Sequence, residues 1–211
     1  MGNFKKDETM ATAKFDLYVL HKDEYVTPKA PQLVQIKPAK YLAITGKGEP
    51  GGDAFTAKLG ALYNVAFTIK MAQKFSGQDY KVCKLEGLWW GNKNNPDFTG
   101  EPKNTWNWKL LIRTPDFITE KHLKTAALGL REKGKSAEVS EVELEKLAEG
   151  LCVQMLHIGP YDEERKTIAL MLAFAEKEGL AFHGLHHEIY LSDPRRVAAK
   201  KLKTILRMPV R

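Results

Sequence analysis

Leu110-Leu-Ile-Arg-Thr-Pro115 returns near the C-terminus as Thr204-Ile-Leu-Arg-Met-Pro209, and this pair of stretches decides how the rest of the chain is read. Aligned on the proline, Ile112 falls on Leu206 and Arg113 on Arg207. Each reads as an apolar strand closed by a residue that cannot donate to a ladder. Upstream of each the same order recurs: strand, Gly/Pro turn, amphipathic helix closed by Gly, strand, loop, strand.

In the first half, residues 32–115, Leu33–Ile36 and Tyr41–Thr45 read as strand broken at Pro38. The turn-rich run 46–52 lacks the G-x-x-x-x-G-K-[ST] spacing of a phosphate-binding loop. Asp53 then caps a helix whose stripe is Phe55, Leu59, Leu62, Ala66 and Ile69, widened by Tyr63 and Phe67, with Gly77 past its end. Strands are expected at Lys81–Trp90 and Thr105–Arg113, separated by an Asn/Pro/Gly-rich loop over 91–103. Trp106, Trp108, Leu110 and Ile112 share one face of the latter strand.

A linker over 116–140 carries a helix at 119–133, with Leu123, Ala126, Ala127 and Leu130 inward and Gly134 as its stop. The second half spans 141–209. Glu141–Lys146 alternates charged and apolar residues and reads as a hairpin with Leu151–Ile158, turned at Gly150. Gly159-Pro160-Tyr161 opens a second helix whose first turn holds Asp162, Glu163 and Glu164, where acids complement the helix dipole.

Period two in His186-His-Glu-Ile-Tyr190 sends His186, Glu188 and Tyr190 to one face, with His187 and Ile189 on the other. Aligning Trp90 with Leu191 sets Trp89 against Tyr190 and Gly87 against Glu188. The fold class read from this is α+β: tandem strand-helix-strand-strand repeats form one antiparallel sheet, with helices on one face and a ligand groove on the other. Glu188 then projects into space that Gly87 leaves open, between Trp89 and Tyr190. A one-residue register slip would present Trp90 instead of Trp89. An exposed strand glutamate is the competing reading.

Composition bounds the function. The 211 residues, 43% hydrophobic and 28% charged, are those of a globular protein of one large domain or two small repeats. No apolar run approaches the ~20 residues of a membrane span, and residues 1–8 lack the apolar core of a signal peptide, so a cytoplasmic protein with no membrane partner is expected. Residues 1–31 read as a polar leader, to about 13, and an N-terminal arm. Cys83 and Cys152 form neither a zinc spacing nor a disulfide framework and read as buried thiols. The net charge of +7 invites a nucleic-acid reading. Yet Leu202, Thr204, Leu206 and Met208 alternate with Lys201, Lys203 and Arg207, which reads as a half-buried strand with a solvated basic face, so no specific nucleic-acid partner is expected. His183, His186 and His187 lack H-E-x-x-H spacing and alternate between faces, so neither metal nor cofactor is expected.

The tandem repeat, Leu85-Glu-Gly-Leu-Trp-Trp90, Gln154-Met-Leu-His-Ile-Gly-Pro-Tyr161 and His186-His-Glu-Ile-Tyr-Leu-Ser-Asp-Pro194 together resemble the GyrI-like small-molecule-binding family, its stand-alone branch above all. The resemblance runs from about Lys14 to the C-terminus. It implies a ligand groove between the repeats with a buried glutamate at Glu188. For the stand-alone branch it also implies hydrolysis of the cyclopropane ring of planar DNA-alkylating natural products by an aromatic cage and the groove carboxylate. The catalytic candidates are Glu188, Tyr161 and Tyr190. The candidate ligand-binding residues are Trp89, Trp90, Trp106, Trp108, Glu86, His157 and His186, with core filling as the competing reading for the tryptophans and for His157. Non-catalytic binding of a lipophilic cation fits the same residues, and a gyrase-shielding role is the third reading. The expected partner is a planar hydrophobic or cationic small molecule; oligomeric state is not legible.

Overall fold

The computed structural model describes residues 14–92 and 100–211; the leader expected over 1–13 and the middle of the 91–103 loop lie outside the described residues. Eight strands form one antiparallel sheet. They are β1 (Gln32–Ile36), β2 (Ala39–Lys47), β3 (Leu85–Trp90), β4 (Asn107–Thr114), β5 (Glu143–Leu147), β6 (Gly150–Ile158), β7 (His186–Tyr190) and β8 (Lys203–Pro209). The helices are α1 (Leu17–Leu20), α2 (Asp53–Phe75), α3 (Glu120–Glu132) and α4 (Glu164–Lys177).

The strand order β1-β6-β8-β7-β3-β4-β2-β5 reads alike from either end. In each half a strand, a helix and two further strands follow one another: β2, α2, β3, β4 and then β6, α4, β7, β8. The halves meet where β3 pairs with β7, and there Gly87 stands opposite Glu188 and Trp89 opposite His186. Trp89 is thus the tryptophan that shares Glu188's face.

The hairpin expected between 141–146 and 151–158 does not form. β5 pairs with β2 of the first half, while β1 crosses to pair with β6 of the second. Gly150, at φ +73°, turns the chain away from its neighbour, so each half completes its outer edge with a strand from the other. The cap of α2 also sits one residue earlier than read: Gly52 is the N-cap and Asp53 the first helical residue. In α3, Thr119 and His122 close a capping box, satisfying backbone donors at both positions.

The two faces of the sheet are buried differently. On one, Leu42, Ile44, Trp108, Leu110 and Ile112 pack under α2 and α3, and Val153, Met155, Leu206 and Met208 under α4. The reverse face is covered by the N-terminal arm and carries charge. Arg113 donates to Glu24 at 2.7 Å, Tyr25 to Glu86 at 3.1 Å, and Arg207 to Gln154, Glu149 and the Glu24 carbonyl. His187 bridges Glu149 at 2.9 Å and Glu86 at 3.0 Å. This corrects the solvated basic face expected for β8, since Arg207 is only 1% exposed. Arg207 and its alignment partner Arg113 are both buried on this face because the arm brings a carboxylate and carbonyls to them, which strand alternation alone cannot show.

Candidate functional site

The main cavity, about 1200 Å³, opens on the helix face of the sheet between α2 and α4. That corrects the expectation of a groove on the face away from the helices: the two helices stand apart over the β3–β7 seam, and the reverse face is already filled by the arm and its ion pairs. A smaller hollow between α3 and β5 lies far from the seam.

Sheet alternation sets the floor. Trp89 from β3 and His186, Glu188 and Tyr190 from β7 line it, with Phe55, Leu59 and Tyr63 of α2 on one wall and Tyr161, Glu164 and Ile168 on the other. Trp106, just before β4, extends the aromatic wall and donates its Nε1–H to the Glu101 carbonyl at 2.9 Å. Phe55 stacks on Trp89 at 6.1 Å and 17°, and Trp106 meets Trp89 edge-on at 76°. Trp89 Nε1–H donates to the Tyr190 hydroxyl at 3.0 Å, and Glu188 stands close enough to Tyr190 to raise its phenol. Gly87 permits this: a Cβ there would stand 2.9 Å from Trp89 Nε1 and 3.0 Å from the Tyr190 oxygen.

Glu188 is buried, at 7% exposure, with its Oε1 3.2 Å from His186 Nε2. One donor atom each from Glu164, His186 and Glu188 lies within 4.8 Å of the others, close enough to share one proton or one cation. Glu164 Oε1 is buried and, among the described residues, meets no hydrogen-bond donor. Burial raises the Glu164 carboxyl well above the usual range, and the neighbouring Glu188 and then Asp162 push the same way. Burial, with Glu188 beside it, also raises the Tyr161 phenol to about 12, so it remains an O–H donor at neutral pH. Tyr190 is likewise raised well above the ordinary phenol value, first by burial and then by Glu188. The two phenols meet edge-on at 5.9 Å.

Of the residues expected in the site, Glu188, Tyr161, Tyr190, Trp89, Trp106 and His186 line this cavity. Four do not. Trp90 packs on the reverse face near Leu88 and Leu111, one residue out of phase with Trp89. Trp108 is fully buried, edge-on to Phe55, with its ring over Gly46 and its Nε1–H on the Gly48 carbonyl. Glu86, at 0% exposure, belongs to the reverse-face network. His157 is tied by Nδ1 to Thr167 and by Nε2 to the Pro160 carbonyl, which braces the turn before Tyr161 from behind.

Three residues were missed. Phe55 and Tyr63 read as core stripe but face the gap between helices. Glu164 read as a dipole-complementing acid; its spacing of three from Tyr161 was the available signal, since three residues return to one face of a helical turn.

The GyrI-like small molecule binding domain profile matches residues 29–211. A conserved protein of uncharacterised function from Listeria innocua is 38% identical over 94% of this chain and 100% of its own, with a TM-score of 0.87. A hydrolase from Listeria innocua is 37% identical over the same shares, with a TM-score of 0.84. The EcmrR C-terminal domain, 11% identical over 86% of this chain and 96% of its own, shares the fold at a TM-score of 0.55. No curated protein matches the chain.

Proposed function

The chain belongs to the GyrI-like small molecule binding domain family, and from that premise we propose that it is a protective hydrolase opening the cyclopropane ring of planar DNA-alkylating compounds. The observation that carries this reading is Glu188, a buried carboxylate on the floor of an aromatic-walled cavity large enough for a flat polycyclic ligand. The hydrolase from Listeria innocua, at 37% identity, supports it.

The chemistry follows from the placement. A cyclopropane conjugated to a ketone is attacked at its CH2 carbon. The bond to the water oxygen forms, the ring C–C bond breaks, and its electron pair moves to the carbonyl oxygen. Glu188 takes the proton from the attacking water. Tyr161, held as a phenol by its raised pKa, donates a hydrogen bond to the oxygen that gains charge. Trp89 and Trp106 hold the planar ligand by stacking, and the Trp89–Tyr190 bond fixes the floor.

A second reading, non-catalytic capture of a lipophilic cation, is favoured by the same carboxyls and rings, through charge neutralisation and cation–π attraction of ~0.5–2 kcal/mol each. One experiment separates the two. Purified protein is incubated with a cyclopropane-bearing planar alkylator and the products are weighed by mass spectrometry. A product heavier by one water, formed catalytically, is expected; ligand recovered unchanged from a stoichiometric complex would leave capture as the function.

A further inference from the structure

We propose that Glu164 and Glu188 work as one carboxyl pair sharing a single proton, which Glu164 holds, leaving Glu188 ionised and aimed into the groove. The catalytic consequence rests on the hydrolase reading; the placement of the proton does not.

Both carboxyls are buried, at 6% and 7% exposure, and with His186 they lie within one 4.8 Å cluster. Two ionised carboxylates that close in a dry site repel strongly unless a cation sits between them. Among the described residues, no Lys or Arg side chain forms an ion pair with either, and the basic group beside Glu188 is His186. The charged and titratable groups around Glu164 are otherwise committed or of the wrong sign. Asp162 is an acid whose partner is Lys103, at 2.8 Å. Tyr161 and Tyr190 are phenols held neutral. From β6, His157 spends both ring nitrogens on Thr167 and Pro160. His187 spends both of its own across the sheet, on Glu149 and Glu86. Arg165, next on the helix, lines the groove rim.

A proton is therefore the economical resolution, and the surroundings decide who carries it. Glu188 Oε1 stands 3.2 Å from His186 Nε2, and Glu188 is close enough to Tyr190 to raise its phenol. Among the described residues, Glu164 Oε1 has no hydrogen-bond partner. An anion settles where polar groups stand close to it rather than where a sealed oxygen has none, so the charge settles on Glu188 and the proton on Glu164, whose carboxyl then donates to its neighbour. Burial of Glu164, with Glu188 and Asp162 beside it, raises its pKa in the same sense.

Glu164 is thus a positioning residue. Its O–H pins one side of the Glu188 carboxylate and leaves the other toward the attacking water. During turnover the pair begins with one proton, gains the second from water, and releases it to solvent while the product oxygen takes up a proton from solvent. Protons balance over the cycle and the pair is reset.

The test has two arms. Infrared difference spectra of the substrate-free protein at neutral pH should show the C=O band of a buried carboxylic acid, absent in Glu164→Gln and retained in Glu188→Gln. In turnover, the wild-type rate should fall as alkaline pH strips the last proton from the pair. Glu164→Gln, which keeps a donor but cannot titrate, should lose that alkaline limb while its neutral-pH rate stays within about tenfold. A band lost in Glu188→Gln but kept in Glu164→Gln overturns the assignment. So does the absence of any such band, including a cluster that instead binds added zinc, or an alkaline limb unchanged in Glu164→Gln. If no alkylator is hydrolysed, the proposed reaction fails and the infrared band alone still decides where the proton sits.

Discussion

Two glutamate–histidine pairs sit almost back to back across the β3–β7 seam, and they solve the burial of charge in opposite ways. On the reverse face His187 lies between Glu86 and Glu149, with Arg207 and Arg113 completing the set and Tyr25 closing over it. Burial by itself would lower the pKa of His187, but the flanking carboxylates raise it to about 9. Burial would raise Glu149, but His187 and Arg207 hold it down to about 2. Three carboxylates (Glu24, Glu86, Glu149) thus face three cations, and no solvent path is needed. On the groove face, among the described residues, His186, Glu188 and Glu164 pair with no arginine, leave an oxygen without a donor, and open on a cavity. A saturated network holds a fold together; an unsaturated one holds chemistry in reserve.

The sharpest test of that contrast is a pair of substitutions, one on each face. Glu188→Gln should leave stability nearly unchanged and ligand quenching of tryptophan fluorescence intact, yet slow hydrolysis by ~10²–10⁴. Equal turnover in the Gln variant would dissolve the distinction. Arg207→Met should do the reverse. Leaving Glu149 and the Glu24 carbonyl unpaired should cost about 3–5 kcal/mol in denaturant unfolding, with little change in turnover per folded molecule.

The pH dependence of stability comes next in size. His187 has a folded pKa raised above its unfolded value, so its stabilising contribution is complete below about 6.5 and is lost as pH rises through about 9. Glu149 has a lowered pKa, so its contribution is complete above about 4.5 and is lost as pH falls through about 2. Thermal unfolding of His187→Gln should lack the alkaline decline of the wild type. Glu164 has the opposite sign to Glu149. A raised carboxyl pKa means stability declines as pH rises above its unfolded value, so Glu164→Gln should gain stability at pH 8 and none at pH 4. The smallest expected effect is Trp89→Phe. It removes one donor to Tyr190, should lower ligand affinity by ~1 kcal/mol by titration, and should not disturb the reverse face.

What the sequence made legible was whatever depends on period. The Gly87–Glu188 register and the choice of faces within β7 follow from local rules, and the ladder has Gly87 opposite Glu188. What it hid depends on which element covers which face. Arg207 looks solvated until residues 22–26 are laid over it. Glu86 looks like a second groove acid until its phase relative to Trp89 is joined to the side of the sheet the helices take. The 141–158 hairpin fails because the open edge of β2 competes for β5, a choice made over a hundred residues of sequence. Glu164 was visible only as a helix-start acid, since its second role needs β7 beneath it.

That exchange of outer strands has a use in protein engineering. A cut in the segment between α3 and β5 would yield two fragments, the first carrying β1, which belongs on the other's edge, and the second carrying β5, which belongs on the first's. Neither fragment could complete its sheet alone, and neither would own a whole site, because Trp89 comes from one and Glu188 from the other. Reassociation would therefore be driven by both edges and the central seam at once. Recovered binding of a planar ligand, read by quenching of tryptophan fluorescence, would report it, which suits this chain to split-protein complementation.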